Sequence, residues 1–111
     1  YIGSDNGAVG TLTVSGRDGA GAASTWTTVD DVSIGVAAGS RGTLEVLGGA
    51  RAQSGWGTIG VAAGSVGSVT VSGPGSVWNI ATVNSFQIGS GGSGTLWIDQ
   101  GGAVYSGQGV I

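Results

Sequence analysis

One phrase recurs four times in this chain and leaves little freedom in what it can fold into. It consists of an aliphatic residue and a glycine, a Gly/Ser-rich loop, and a segment of the form glycine, Thr or Ser, aliphatic, any residue, aliphatic. The copies run from Ile2-Gly3 to GTLTV at Gly10 to Val14, from Ile34-Gly35 to GTLEV at Gly42 to Val46, from Ile59-Gly60 to GSVTV at Gly67 to Val71, and from Ile88-Gly89 to GTLWI at Gly94 to Ile98. A fifth copy begins at Val110-Ile111. Each copy of such a repeat is one supersecondary unit that buries its apolar face only by stacking on its neighbours.

The phase within a copy is held: twelve residues separate Ile2 from Val14, Ile34 from Val46 and Ile59 from Val71, and ten separate Ile88 from Ile98. From each strand to the next aliphatic-glycine step the length alternates, 20, 13, 17 and 13 residues, so insertions collect at one corner of each unit. The true repeat is therefore a long-short pair, present twice. The expected organisation is a single segment over 1–111, with coils near 2–33, 34–58, 59–87 and 88–111.

Every structured stretch alternates with period two, the signature of strands with one buried face. Leu12/Val14, Leu44/Val46, Val69/Val71 and Leu96/Ile98 form one inward column. Val32/Ile34 and Phe86/Ile88 form a second, and Trp26 and Trp78/Ile80 a third. Three inward faces per coil imply a triangular cross-section. No stretch of ten residues carries helical spacing, so equivalent strands of successive coils must run in the same direction. This predicts an all-β chain, a parallel β-helix (β-solenoid) of about four coils. Trp26 and Trp78 fall in alternate coils, opposite Ala50/Ala52 and Ala103 in the short ones, so a ring is expected to lie over a small side chain, as close packing demands.

Composition agrees. Glycine at 26 of 111 residues would suggest low complexity, but 40% hydrophobic content is too high for a disordered chain, so the glycines punctuate strands. Their large entropy loss on folding must be offset by apolar stacking. There is no cysteine, and thiols say nothing about compartment. No apolar run approaches the ~18–20 residues of a membrane helix, so this segment is not expected to span a membrane. A net charge of −3 with three arginines and no lysine makes a poor footprint for nucleic acid.

The GTLxV strands, the GxGSxW stretch at Gly73 to Trp78, and the GGA steps at Gly48 to Ala50 and Gly101 to Ala103 resemble the repeats of bacterial autotransporter passengers, more narrowly the repeat shared by type V secretion and PEP-CTERM surface proteins. The resemblance covers essentially the whole chain. It implies a right-handed parallel β-helix, secretion across a Gram-negative envelope, and a stalk or adhesin role outside the cell.

Candidate chemistry is sparse. The carboxylates are Asp5, Asp18, Asp30, Asp31, Glu45 and Asp99, and only Asp30-Asp31 are adjacent, on opposite faces of a strand, which makes a poor pair for glycoside hydrolysis. Without His, Lys or Cys no common nucleophile system can be assembled, so no catalytic residue, metal ligand or cofactor site is expected. The Ser4 to Gly7 stretch (SDNG) is expected to be a turn rather than a calcium loop. The outward face is more informative. Thr11, Thr43, Ser68 and Thr95 should form a hydroxyl ladder beside a second column of Thr13, Glu45, Thr70 and Trp97. Trp97 lies between inward Leu96 and Ile98 and should be exposed, and Trp56 sits in a GWG turn, so both can meet a sugar ring or a protein partner. Trp97, Trp56, Thr13 and Thr70 are the candidate contacts. The core is expected from Leu12, Val14, Trp26, Ile34, Leu44, Val46, Ile59, Val69, Val71, Trp78, Ile88, Leu96 and Ile98. The expected role is an extracellular structural or adhesive stalk of a bacterial surface protein. The alternatives are a self-assembling surface-layer or filament subunit and a carbohydrate-binding module. Expected partners are neighbouring repeats or copies stacked end to end, and a host-surface protein or glycan.

Overall fold

A coil built from short strands can satisfy its backbone only by donating to the coil below and accepting from the coil above. The computed structural model, which describes residues 1–81 and 85–110, shows this arrangement throughout. In chain order the strands are β1 (Val9–Ser15), β2 (Thr25–Thr27), β3 (Val32–Ile34), β4 (Arg41–Leu47), β5 (Arg51–Ser54), β6 (Gly57–Ile59), β7 (Val66–Ser72), β8 (Val77–Ile80), β9 (Ser85–Ile88), β10 (Ser93–Asp99), β11 (Ala103–Tyr105) and β12 (Gln108–Val110). They make three four-stranded parallel sheets, β1-β4-β7-β10, β2-β5-β8-β11 and β3-β6-β9-β12, one per side of the coil. No helix occurs among the described residues. Counted between Ile-Gly corners, the chain closes three turns, Ile2 to Ile34, Ile34 to Ile59 and Ile59 to Ile88, and runs through a fourth to Val110. Ile111, on which the fifth copy was to start, lies outside the described residues.

The two halves of the repeated phrase touch each other, which explains why the first three copies keep one spacing. A Cβ on Gly67, the first residue of its GSVTV strand, would stand 2.5 Å from the Ile34 carbonyl oxygen and 2.7 Å from the Gly60 nitrogen. Gly35, at the corner, has φ +68°, and a Cβ there would stand 2.5 Å from the Val66 carbonyl oxygen. Only glycine permits both the left-handed turn and the close backbone approach. The corner is then secured along the stack by Gly35 N–H to Ile2 O and Gly60 N–H to Ile34 O, both 2.8 Å.

Strand register places the expected columns together. Leu12, Leu44, Val69 and Leu96 are successive partners, as are Val14, Val46, Val71 and Ile98, and Ile34, Ile59 and Ile88. Leu44, Val46, Val69, Val71, Ile34 and Ile59 are fully buried, and Val14 nearly so. The end coils depart from the expectation: Leu12, Trp26, Ile88 and Leu96 are only half-buried, and Ile98 is 45% exposed. Ile98 keeps its inward register, but β10 is the last strand of its sheet and no following coil covers it.

Side-chain size alternates along two columns. The first reads Trp26, Ala52, Trp78, Val104 and the second Val32, Gly57, Phe86, Gly109. Trp78 meets Phe86 edge to face with ring centroids 5.4 Å apart, and a Cβ on Gly57 would stand 3.0 Å from both rings. The small residues of the short coils thus make room for paired rings in the long one. Two alanines assigned to this layer lie elsewhere: Ala103 pairs with Val77, one position before the inward Val104, and Ala50 precedes β5. The GGA steps are not equivalent, because Gln100, with φ +49°, occupies the left-handed turn that Gly48 and Gly73 fill in earlier coils, and this displaces the last GGA by one residue. The Trp78 indole N–H is satisfied by Ser54 Oγ of the preceding short coil at 3.1 Å. On the first long corner, Arg17 bonds Gly21 O at 3.1 Å and lays its guanidinium where Gly49 and Gly75 have no side chain.

Leu44→Asp should abolish the cooperative unfolding transition, because an unpaired buried carboxylate costs several kcal/mol against a domain stability of about 5–15 kcal/mol. Trp78→Ala should destabilise by about 3–5 kcal/mol, whereas Trp97→Ala should stay within about 0.5 kcal/mol of the parent. Equal losses in denaturant melts for the two tryptophan variants would overturn this assignment of inside and outside.

Candidate functional site

The inward Leu96 and Ile98 turn the residue between them to solvent, and Trp97 is 61% exposed on the side of the solenoid. Its sheet is the longest of the three, seven residues per strand, and its outward side chains form straight columns because the register never slips. One column is Thr11, Thr43, Ser68, Thr95. The next is Thr13, Glu45, Thr70, Trp97, and the next Ser15, Leu47, Ser72, Asp99. Thr13 Oγ1 donates to Glu45 Oε2 at 3.1 Å, one coil away. Three of the four candidate contacts, Thr13, Thr70 and Trp97, therefore share one column, with Glu45 between the threonines. Trp56 is 46% exposed but precedes β6 on a different side of the coil, where its carbonyl accepts from Val32 N–H at 3.0 Å. It does not join the Trp97 face.

Trp97 is held rather than free. Its indole N–H donates to Asp99 Oδ2 at 2.9 Å, and Ser72, beside Asp99 in the sheet, contributes a hydroxyl. Asp99 Oδ1 is enclosed without a fully formed hydrogen bond among the described residues, so the Trp97 contact is the better defined of the two. The Ser72 hydroxyl first, and the Trp97 indole second, favour the ionised carboxylate and hold Asp99 below the ordinary aspartate range, against a small opposing effect of burial. Residues 97 and 99 lie on one face because strand side chains repeat every second residue. The Trp-x-Asp spacing is therefore the signal in the sequence for this pairing.

The remaining acidic residues serve turns or stand in solvent. Ala8 N–H closes the Ser4 to Gly7 turn on Asp5 O at 2.9 Å. Asp18 Oδ1 accepts from Ala20 and Ala22 N–H at 2.9 Å each. Asp30 and Asp31 are both exposed, at the corner between β2 and β3. Among the described residues no three acidic side chains converge to hold a metal ion, and no helix is long and apolar enough to cross a membrane. What the Trp97 face offers is a fixed aromatic plate flanked by an ionised carboxylate and a row of hydroxyls. Such a plate can stack on the C–H face of a sugar or an apolar side chain, while its neighbours accept hydrogen bonds.

Comparison with family models, curated proteins and solved structures returned no match. The geometry of the face thus carries the functional argument.

Because the Asp99 carboxyl titrates lower when folded than when unfolded, its bonds add stability that is present above the ordinary aspartate range and is lost as pH falls through the lowered value. Trp97 emission should accordingly stay constant through the ordinary aspartate range and change only at more acid pH, and the change should be missing from Asp99→Asn. A transition at the ordinary value, or one that persists in Asp99→Asn, would show that the indole and carboxylate are not coupled.

Proposed function

We propose that this chain is a non-catalytic extracellular segment of a bacterial surface protein, a stalk whose Trp97 face makes an adhesive contact with a glycan or a protein on another surface. The observation that carries the adhesive part is the Trp97 indole, which is 61% exposed and yet fixed by a 2.9 Å bond to Asp99. An exposed large aromatic costs solubility, and holding it in one orientation removes most of the entropy a partner would otherwise have to overcome. The structural part rests on the solenoid itself, since stacked parallel sheets give a rod that lengthens by one strand spacing per coil. The non-catalytic assignment rests on six carboxylates, of which only Asp30 and Asp31 are adjacent, in a chain without His, Lys or Cys. The resemblance to autotransporter passenger repeats favours the bacterial surface, and the acidic balance of −3 disfavours anionic partners such as nucleic acid.

A second role, a subunit that assembles end to end into a filament or surface layer, would use the same coil-on-coil stacking that joins the repeats within the chain. A free-standing carbohydrate-binding module would need only the Trp97 face.

A glycan array and a cell-adhesion assay with parent, Trp97→Ala and Trp56→Ala chains test the adhesive contact. Binding should fall at least tenfold for Trp97→Ala at unchanged melting temperature and persist in Trp56→Ala. Parent binding that survives Trp97→Ala, or an inert parent, would overturn the adhesive assignment.

A further inference from the structure

The sheet of β2, β5, β8 and β11 turns a different surface to solvent from the one that carries Trp97. With Trp26, Ala52, Trp78 and Val104 inward, the residues on either side of each point outward. The register makes one outward column of Thr27, Gln53, Asn79 and Tyr105, and beside it one that begins Thr25, Arg51, Val77. None of the outward residues of this sheet is acidic, whereas Glu45 and Asp99 both stand on the Trp97 sheet. In a chain of net charge −3 this face is therefore locally positive, and Arg51 supplies the charge.

Arg51, Gln53, Val77, Asn79 and Tyr105, with Ala52, line an open cavity of about 270 Å³ on this face. Its polar side chains are not satisfied by the protein. Gln53 and Asn79 are register partners on neighbouring strands about 4.8 Å apart, yet neither side-chain amide bonds the other or any other described residue. The Arg51 guanidinium has no ion pair or hydrogen bond among the described residues, unlike Arg17, which bonds Gly21 O. Asn is a residue that strands avoid, so its place in β8, between two other strands, is not explained by the sheet. Both β5 and β8 are interior strands of the stack, and outward side chains leave it sideways, so the cavity does not depend on what covers either end. Tyr105, 59% exposed, adds an aromatic ring to one side.

We propose that this cavity binds a sugar ring that bears a carboxylate, a uronate or a terminal sugar acid, at the Arg51 guanidinium. Each part of such a ring has a matching group. The planar guanidinium pairs with a carboxylate through two parallel N–H donors. Each amide offers a donor and an acceptor to neighbouring ring hydroxyls, which are themselves both donor and acceptor. The Tyr105 ring and the Val77 side chain meet the apolar C–H face of the sugar. A volume of about 270 Å³ lies below the ~300–1,000 Å³ of sites for drug-sized ligands, so it takes one ring and not a longer run of chain. A single arginine also fits a single carboxylate, whereas the net charge of −3 repels a densely anionic polymer. The cavity lies on a different sheet from Trp97, so this contact is separate from the adhesive one proposed above.

Ligand-observed NMR titrations with methyl glucuronide and sialyllactose, against methyl glucoside and lactose as their neutral counterparts, test the site. An acid that binds should do so about fivefold more tightly than its neutral counterpart, the upper end for an exposed ion pair. This preference should disappear in Arg51→Gln and shrink as salt is raised. Asn79→Ala should weaken binding about five- to tenfold, the value of one hydrogen bond, and leave the preference for the acid intact. Because these side chains point outward, neither variant should alter the melting temperature. Trp97→Ala should bind the acids as the parent does. Binding of the glucuronide alone assigns a uronate, binding of sialyllactose alone a terminal sugar acid, and either result supports the site. Equal affinity for acid and neutral sugar, a preference that survives Arg51→Gln, or a loss in Trp97→Ala in place of Arg51→Gln would each overturn it. Failure of both acids would do the same, and a glutamate-rich peptide that bound in their stead would make the occupant a protein.

Discussion

The structure depends on one contact, repeated at every corner: the glycine that opens each long strand lies against the Ile-Gly step of its own coil. Gly67, against Gly60 of its own coil and the Ile34 carbonyl of the coil before, is the clearest instance, closer than any side chain would allow. This approach bends the coil, and the bend brings each strand over its equivalent one coil away. The parallel hydrogen bonds and the apolar columns both follow from it. A chain with so many glycines must overcome a large backbone entropy, and it does so by using a glycine wherever backbone meets backbone and an aliphatic residue wherever the interior must be filled.

Filling the interior poses a second constraint, because coils of equal width cannot all carry large rings. The chain alternates: Trp78 and Phe86 share one layer, with Ala52 and Gly57 below and Val104 and Gly109 above. The short coil of Ala52 and Gly57 is thereby a receptor for the long coil after it, down to the Ser54 oxygen that meets the Trp78 indole. Coil stacking is consequently directional, and the two ends of the chain are unlike.

Because stacking is governed by backbone and inward side chains, the outward columns are free to vary without disturbing it. Glu45 and Trp97 interrupt a column of threonines at no cost to the register. The same independence would let the proposed stalk carry a contact surface, since the Trp97 face can change while the solenoid persists. Among the described residues Trp97 differs from Tyr105, 59% exposed on the neighbouring sheet, in having its polar atom tied down.

The periodicity of Ile-Gly and GTLxV was enough to establish the parallel solenoid, the inward columns and the exposure of Trp97, because a period-two pattern in fixed phase has only one way to bury itself. The sequence alone did not reveal the layer register after the strands. Counting GGA steps aligned Ala103 with Ala50, and the turn at Gln100 moved it by one, since the backbone conformation there is set by stacking rather than by residue type. Nor did it reveal the partners of Trp97 and Trp78, because Asp99 and Ser54 meet them through strand geometry and through a neighbouring coil 24 residues away. Periodicity is a local property and is legible in a string of residues. Which side chain meets which across the stack depends on how many residues each corner consumes, and only the folded chain decides that.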